Sequence, residues 1–123
     1  VIQEVSTLVI QAQSDLCEVR KMIHKIGFFI EKEKFCMDAG KPYLVMRAVR
    51  GEEKKPYEPA EYEYGRLLPE AGAAAYRSYL LDERDKKMKL QETLKMQKTS
   101  GAGARVEELT EEITGLNWIL NKF

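Results

Sequence analysis

The chain has 123 residues, about the length of one domain. Its 20 Lys and Arg residues balance its 20 Asp and Glu residues, so no global field favours DNA, RNA or an anionic membrane. No run of 18 apolar residues or signal-peptide pattern occurs, and Cys17 and Cys36 read as free thiols. We therefore expect a cytoplasmic or other reducing intracellular location, no membrane span and no nucleic-acid partner.

Apolar residues recur at alternating steps of three and four through the first quarter of the chain. A mean spacing of 3.5 residues keeps one apolar face against a partner helix. The pattern predicts a heptad helix over residues 1–38, interrupted only by Gly27 and ended by Gly40 and Pro42. We call this set the N-terminal seam: Ile2, Val5, Val9, Ala12, Leu16, Val19, Ile23, Ile26 and Ile30.

All four prolines fall between residues 42 and 69, which predicts a proline- and tyrosine-rich cap or loop over residues 39–68. Within it, residues 43–49 (YLVMRAV) are too short for periodicity to choose between a short strand and a two-turn helix. Residues 57–64 carry three tyrosines among glutamates. They read either as a loop that packs over the helix ends or as a recognition motif or phosphorylation site.

Helix-favouring sequence resumes at Pro69 and predicts a second helix over residues 69–98, followed by a hinge at residues 99–103. A C-terminal heptad helix is predicted over residues 104–123. Its apolar residues form a C-terminal seam: Val106, Leu109, Ile113, Leu116, Leu120 and Phe123. Trp118 widens this apolar face, so we predict an interaction anchor there. Tyr62 and Tyr64 of the tyrosine-rich segment are predicted anchors as well.

Residues with catalytic or metal-binding chemistry are sparse. His24 is the single histidine, and neither cysteine has a C-x-x-C companion. The glycines at 101 and 103 lack the preceding strand and the Lys-Ser/Thr pair of a phosphate loop. The basic run at residues 84–89 reads as a solvated helix face, or else as a contact for nucleic acid or for an acidic surface such as a microtubule. We therefore predict no catalytic, cofactor-binding or metal-ligating residue, no cofactor and no enzymatic activity.

The sequence predicts an all-α, elongated coiled coil or helical hairpin with a proline-rich central turn. Two topologies remain open: a hairpin in which the first helix packs antiparallel to the later ones, and a parallel homo- or hetero-oligomer with helical protein partners. The preferred function is a non-catalytic interaction module, a structural or assembly subunit of a cytoskeletal, ciliary, kinetochore or trafficking complex. The alternatives are a regulatory module that binds through residues 57–64, and a coiled-coil arm of an enzyme whose catalytic domain is absent here.

Overall fold

The computed structural model describes residues 5–97 and 101–123. Within these ranges the first 50 residues form the strands and most of the remainder is helical. The prediction of an all-α coiled coil is therefore wrong, and the fold is α/β. The elements are β1 (Thr7–Ala12), α1 (Leu16–Lys25), β2 (Phe28–Asp38), β3 (Lys41–Arg50), α2 (Pro59–Tyr64), α3 (Leu67–Glu70), α4 (Ala74–Met96) and α5 (Ala102–Leu120).

The strands form one sheet in the order β1-β3-β2, and β3 is antiparallel to both neighbours. It follows that β1 and β2 are parallel to each other, with α1 connecting them. A tight hairpin joins β2 to β3 through Ala39 and Gly40, whose φ angles are 51° and 76°. Two consecutive positive φ angles are the backbone of a type I′ turn, which matches the twist of the strands. Residues 43–49 lie within β3, so that run is a strand.

The N-terminal seam does not lie on one helix. Most of its described members are spread over β1, α1 and β2, whereas Val5 precedes β1, Ile26 follows α1, and Ile2 lies outside the described residues. Residues with positive φ separate α1 from the strands on either side of it: Asp15, with φ 54°, and Gly27, with φ 86°. The segments beyond these breaks are rich in β-branched and aromatic residues, which fit a pleated strand. Side chains in β1 alternate accordingly: Val9 is 70% exposed, and its two neighbours are half-buried. The predicted helix over residues 1–38 is therefore wrong.

One hydrophobic core joins the covered face of the sheet to the helices, so the helices have fixed positions relative to the strands. Its centre is the middle of β3, where Met46 and Ala48 are fully buried. The buried apolar residues of this core are Ile23, Phe28, Ile30, Leu44, Met46, Ala48, Tyr57, Leu68, Tyr76, Leu80, Leu116, Ile119 and Leu120.

The two long helices, α4 and α5, pack against each other as an antiparallel hairpin, which we call the helical arm. Arg84 donates a hydrogen bond to Asn117 at 2.8 Å, and Gln91 donates one to Thr110 at 2.7 Å. Residue numbers therefore decrease along α5 in the direction in which they increase along α4, so the two helices run antiparallel. Both predicted topologies required the N-terminal helix, so neither occurs.

The predicted boundaries in this half of the chain shift as well. Pro69 belongs to the short helix α3, and α4 begins only at Ala74. Residue 98 and residues 99–100 of the predicted hinge lie outside the described residues, and α5 already begins at Ala102. No helix within the described ranges is long and apolar enough to cross a membrane.

Candidate functional site at the sheet edge

The carboxyl ends of β1 and β2 lie at the same edge of the sheet, because the two strands are parallel. β1 ends there at Ala12, β2 ends at Asp38, and β3 begins at Lys41. Ligands of α/β sheets bind outside the carboxyl ends of the strands. The exposed loop of residues 13–15 follows β1 at this edge. The sheet topology therefore makes this edge the candidate site.

An aromatic crevice of about 30 Å³ opens beside this loop, between Gln13, Phe35, Tyr43, Tyr76 and Tyr79. The Phe35 ring centroid lies 5.1 Å from that of Tyr76 and 5.2 Å from that of Tyr79. The hydroxyl of Tyr76 donates a hydrogen bond to the carbonyl of residue 64 at 2.7 Å, which ties the wall of the crevice to the end of α2. Tyr43 and Tyr79 are partly exposed, and Tyr76 is buried.

The phenols of this crevice are uncharged at neutral pH. Burial, with a smaller contribution from Glu83, raises the pKa of Tyr79. The hydrogen bond that Tyr43 donates to Asp38, 2.8 Å long, raises the pKa of Tyr43. The crevice is consequently an apolar aromatic surface beside a polar loop, a combination that suits a planar ligand with a polar edge.

A buried ion pair joins the sheet to the helical layer. Arg20 of α1 contacts Glu33 of β2 at 2.8 Å, and both side chains are completely buried. Arg20 also donates to the carbonyl of Tyr62 at 2.8 Å and to that of Glu63 at 3.1 Å, near the carboxyl end of α2. Burial alone would lower the pKa of Arg20, but the Glu33 carboxylate outweighs it and the net pKa is raised. Arg20 thus holds α1, β2 and α2 together as a permanent cation.

Gly65 allows this approach. Its φ is 91°, and a Cβ at that position would lie 3.0 Å from Arg20 Nη2 and 3.1 Å from Glu33 Oε2. Both the left-handed backbone and the lack of a side chain therefore require glycine here.

His24 fixes the loop after β3 by bonding on both sides of its ring. Nε2 lies 2.7 Å from Glu53 Oε2, and Nδ1 lies 2.8 Å from the hydroxyl of Tyr62. The same Glu53 oxygen accepts the backbone N–H of Ile30 at 3.0 Å. With both ring nitrogens bonded to protein groups, His24 holds the loop in place.

The three predicted anchors lie together along a groove of about 770 Å³ between α1, α2 and α5. Trp118, Tyr62 and Tyr64 all line it. Trp118 is 37% exposed, and the ammonium of Lys122 lies 4.5 Å from the centre of its ring. Whether the anchors bind a partner stays a prediction.

The predicted seams are placed differently from one another. In the N-terminal seam, Ile23 and Ile30 are in the core, and Val9 is largely exposed. The other described members are half-buried: Val5, Ala12, Leu16, Val19 and Ile26. In the C-terminal seam, Leu109, Leu116 and Leu120 are buried, and Val106, Ile113 and Phe123 are half-buried.

Sequence reasoning missed the residues of the edge and of the ion pair. Gln13 and Arg20 fell inside the predicted helix over residues 1–38 without an assigned role, and Tyr43 and Tyr79 had no motif to mark them. The available signals were Gly27 as a break rather than an interior residue, and the largely apolar YLVMRAV run, with a tyrosine and two valines, before Arg50.

The fold places the chain in a class of protein. The parallel pair β1 and β2 with α1 between them, and β3 inserted antiparallel, form part of a Rossmann-like α/β methyltransferase fold. A family model described as TrmK, tRNA (adenine(22)-N(1))-methyltransferase, matches residues 1–117. The chain belongs to that family.

Solved structures share the fold at low sequence identity. An uncharacterised protein from Listeria monocytogenes serotype 4b is 18% identical with a TM-score of 0.88, over 97% of this chain and 53% of that one. TrmK from B. subtilis, described as an m1A22 tRNA methyltransferase, is 18% identical with a TM-score of 0.78, over 93% and 51%. TrmK from M. capricolum, in complex with S-adenosyl-homocysteine, is 17% identical with a TM-score of 0.79, over 98% and 51%.

The chain spans about half the length of these structures. Comparison with curated protein sequences finds no significant match.

Family membership corrects the functional predictions. The chain is part of a methyltransferase family, so the predictions of a non-catalytic coiled-coil or structural module and of a non-enzyme are wrong. Helical scaffold partners and a cytoskeletal role lose their basis, because they depended on an N-terminal coiled coil that the described residues do not form. The microtubule contact predicted from residues 84–89 is not supported by the family match either. The prediction against nucleic acid fails with them, since the family acts on tRNA.

Proposed function

We propose that this chain is part of a tRNA (adenine(22)-N(1))-methyltransferase, in which the three strands extend a larger catalytic sheet and the helical arm contacts tRNA. The observation that carries the proposal is the family match over residues 1–117. The open edge of strand β1 in the described sheet supports it. Among the described residues, β1 pairs with β3 alone. An apolar strand with a free edge favours pairing with a further strand.

The helical arm supports an RNA contact through the way its charges are divided. α4 carries six Lys or Arg residues and four Asp or Glu residues. α5 carries one basic residue and four acidic ones. Lys86, Lys89 and Lys95 of α4 are exposed. Exposed cations on one helix bind phosphates, which supply most of the affinity for nucleic acid. The α4 side of the arm is therefore the proposed RNA contact.

For the whole enzyme we propose S-adenosylmethionine as the methyl donor, because the M. capricolum structure holds S-adenosyl-homocysteine, the product of that cofactor. At the sheet edge, residues 13–15 after β1 are too few to enclose a nucleoside. We therefore assign no step of methyl transfer to a residue of this chain. We also propose a cytoplasmic location, which suits a tRNA substrate and the free thiols of Cys17 and Cys36.

The test is a methyl-transfer assay on the full-length protein with radiolabelled S-adenosylmethionine and an unmodified tRNA transcript. We expect label at N1 of adenine 22, detected as an arrest of primer extension, and no label in a transcript with guanine at that position. Methylation elsewhere, or none, would refute the proposal. Lys86→Gln with Lys89→Gln should weaken tRNA binding more at low salt than at high salt, because phosphate contacts release counterions.

A further inference from the structure

The aromatic crevice at the sheet edge has no partner within the described residues on its open side. It brings together two partly exposed tyrosines from different parts of the chain, Tyr43 at the start of β3 and Tyr79 near the start of α4. Gln13, from the loop after β1, completes its rim. The crevice thus lies where the edge of the catalytic sheet meets the helical arm.

The inner side of this surface is rigid. Tyr79 packs on Phe35 at 5.2 Å and lies nearly parallel to Tyr76, with 15° between the ring planes. Tyr76 is 3% exposed, and its hydroxyl is fixed by a backbone carbonyl. Tyr43 is fixed by its bond to Asp38. An aromatic ring held in this way offers its remaining surface to a ligand at little cost in conformational entropy.

The chemistry of the surface fits a nucleobase. Stacking on uncharged phenol rings is open to every base, and the Gln13 amide offers both a donor and an acceptor to a base edge. The exposed cations Lys41 and Arg77 lie within two residues of the two tyrosines and are available to phosphates.

The size of the crevice indicates whether it holds the reacting base or a base next to it. A base that is modified by an enzyme is turned out of the helix into an enclosed pocket. A crevice of about 30 Å³ cannot enclose a base, so it suits one that stacks across its mouth. We infer that Tyr43 and Tyr79 form a stacking platform for an unpaired base next to the reacting adenine. This inference rests on the proposed function and names the substrate contact of the same edge.

The experiment compares Tyr79→Ala and Tyr43→Ala with the matched variants Tyr79→Phe and Tyr43→Phe in the full-length enzyme. We expect each Ala variant to raise KM for the tRNA transcript about 5- to 100-fold, the range for losing one stacked base. KM for S-adenosylmethionine and kcat should change less than threefold. Tyr79→Phe should behave like the parent, because stacking does not need the hydroxyl. Tyr43→Phe keeps the ring but loses the bond that fixes it to Asp38, so its KM for tRNA should rise much less than that of Tyr43→Ala.

A purely structural role is separated by changing the RNA instead of the protein. An abasic nucleotide on one side of adenine 22 should raise KM for the parent enzyme and remove most of the difference between the parent and Tyr79→Ala. If Tyr79→Ala loses its fold, the same comparison is made with Tyr43→Ala, which lies at the strand end. Unchanged KM in folded Ala variants, or fully additive effects with both abasic transcripts, would overturn the inference. A parent enzyme that fails to methylate adenine 22 would instead refute the proposed function.

Discussion

Replacing Arg20 by Ala tests whether the buried ion pair holds the sheet and helical layers together. The change removes the 2.8 Å contact with Glu33 and the two hydrogen bonds to the carbonyls of Tyr62 and Glu63. It leaves the Glu33 carboxylate in a site where its side chain is completely buried. Removing one partner of a buried pair costs about 3–5 kcal/mol, mostly because the other charge is left without compensation. We expect a loss of unfolding free energy in that range.

The assay is urea denaturation followed by circular dichroism at neutral pH, with the exposed pair of Arg47 and Glu31 as the control. Arg47 Nε and Glu31 Oε1 lie 3.8 Å apart, and the two side chains are 54% and 45% exposed. Arg47→Ala should therefore cost less than about 1 kcal/mol. Arg20→Met combined with Glu33→Met should recover part of the loss, because no buried charge remains. An Arg20→Ala variant that is as stable as Arg47→Ala would refute the reasoning.

The remaining predictions concern Gly65, which contacts that pair, and the separate pair of Glu61 and Arg66. Gly65→Ala should lower the unfolding free energy by about 1–3 kcal/mol, since it places a Cβ at positive φ against the Arg20 guanidinium; an unchanged melting temperature would contradict this. Burial alone would raise the pKa of Glu61, but the 2.7 Å and 2.9 Å bonds from Arg66 lower it overall. Because the folded pKa is below the ordinary value of 4.5, its stabilisation is present above that pH and lost as the pH falls below it. In unfolding experiments from neutral to acidic pH, the parent should be more stable than Glu61→Gln at neutral pH, and this difference in unfolding free energy should shrink below about pH 4.5. A difference that does not change with pH would argue against the pair of Glu61 and Arg66.

The error in fold class came from one pattern that two structures can produce. Apolar residues at steps of three and four indicate one long helix only where no break interrupts it. Here the strands on either side of the ten-residue helix α1 happen to carry apolar residues at positions that continue its spacing. Thr7 to Ala12 has the alternation of a strand, with Val9 on the outer face. The breaks at Asp15 and Gly27 need positive φ. Gly27 was visible in the sequence as a break, but an aspartate in the left-handed region has no reliable sequence signal.

The helices of the second half were easier to predict, because α5 is long and its apolar spacing is regular. Leu109, Leu116 and Leu120 are buried as a helical face. The site was harder, since its parts are brought together only by the sheet. Gln13 and Tyr79 are 66 positions apart and meet at one crevice. Arg20 had no pattern to mark it as buried, because its burial depends on Glu33 and on the backbone at Gly65, neither of which has a local signature.

The exclusion of nucleic acid rested on net charge, and the division of charge between the two helices of the arm shows why net charge is a weak ground for it. A total of zero describes the sum over all surfaces, and RNA meets only one of them. The acidic residues of α5 cancel the basic residues of α4 in the total, although the two helices present different outer faces. Charges on exposed surfaces are screened beyond roughly 10 Å at about 0.1 M salt, so the local excess on α4 would govern the proposed RNA contact. For an arm of two antiparallel helices, charge has to be counted per helix before a class of partner is excluded.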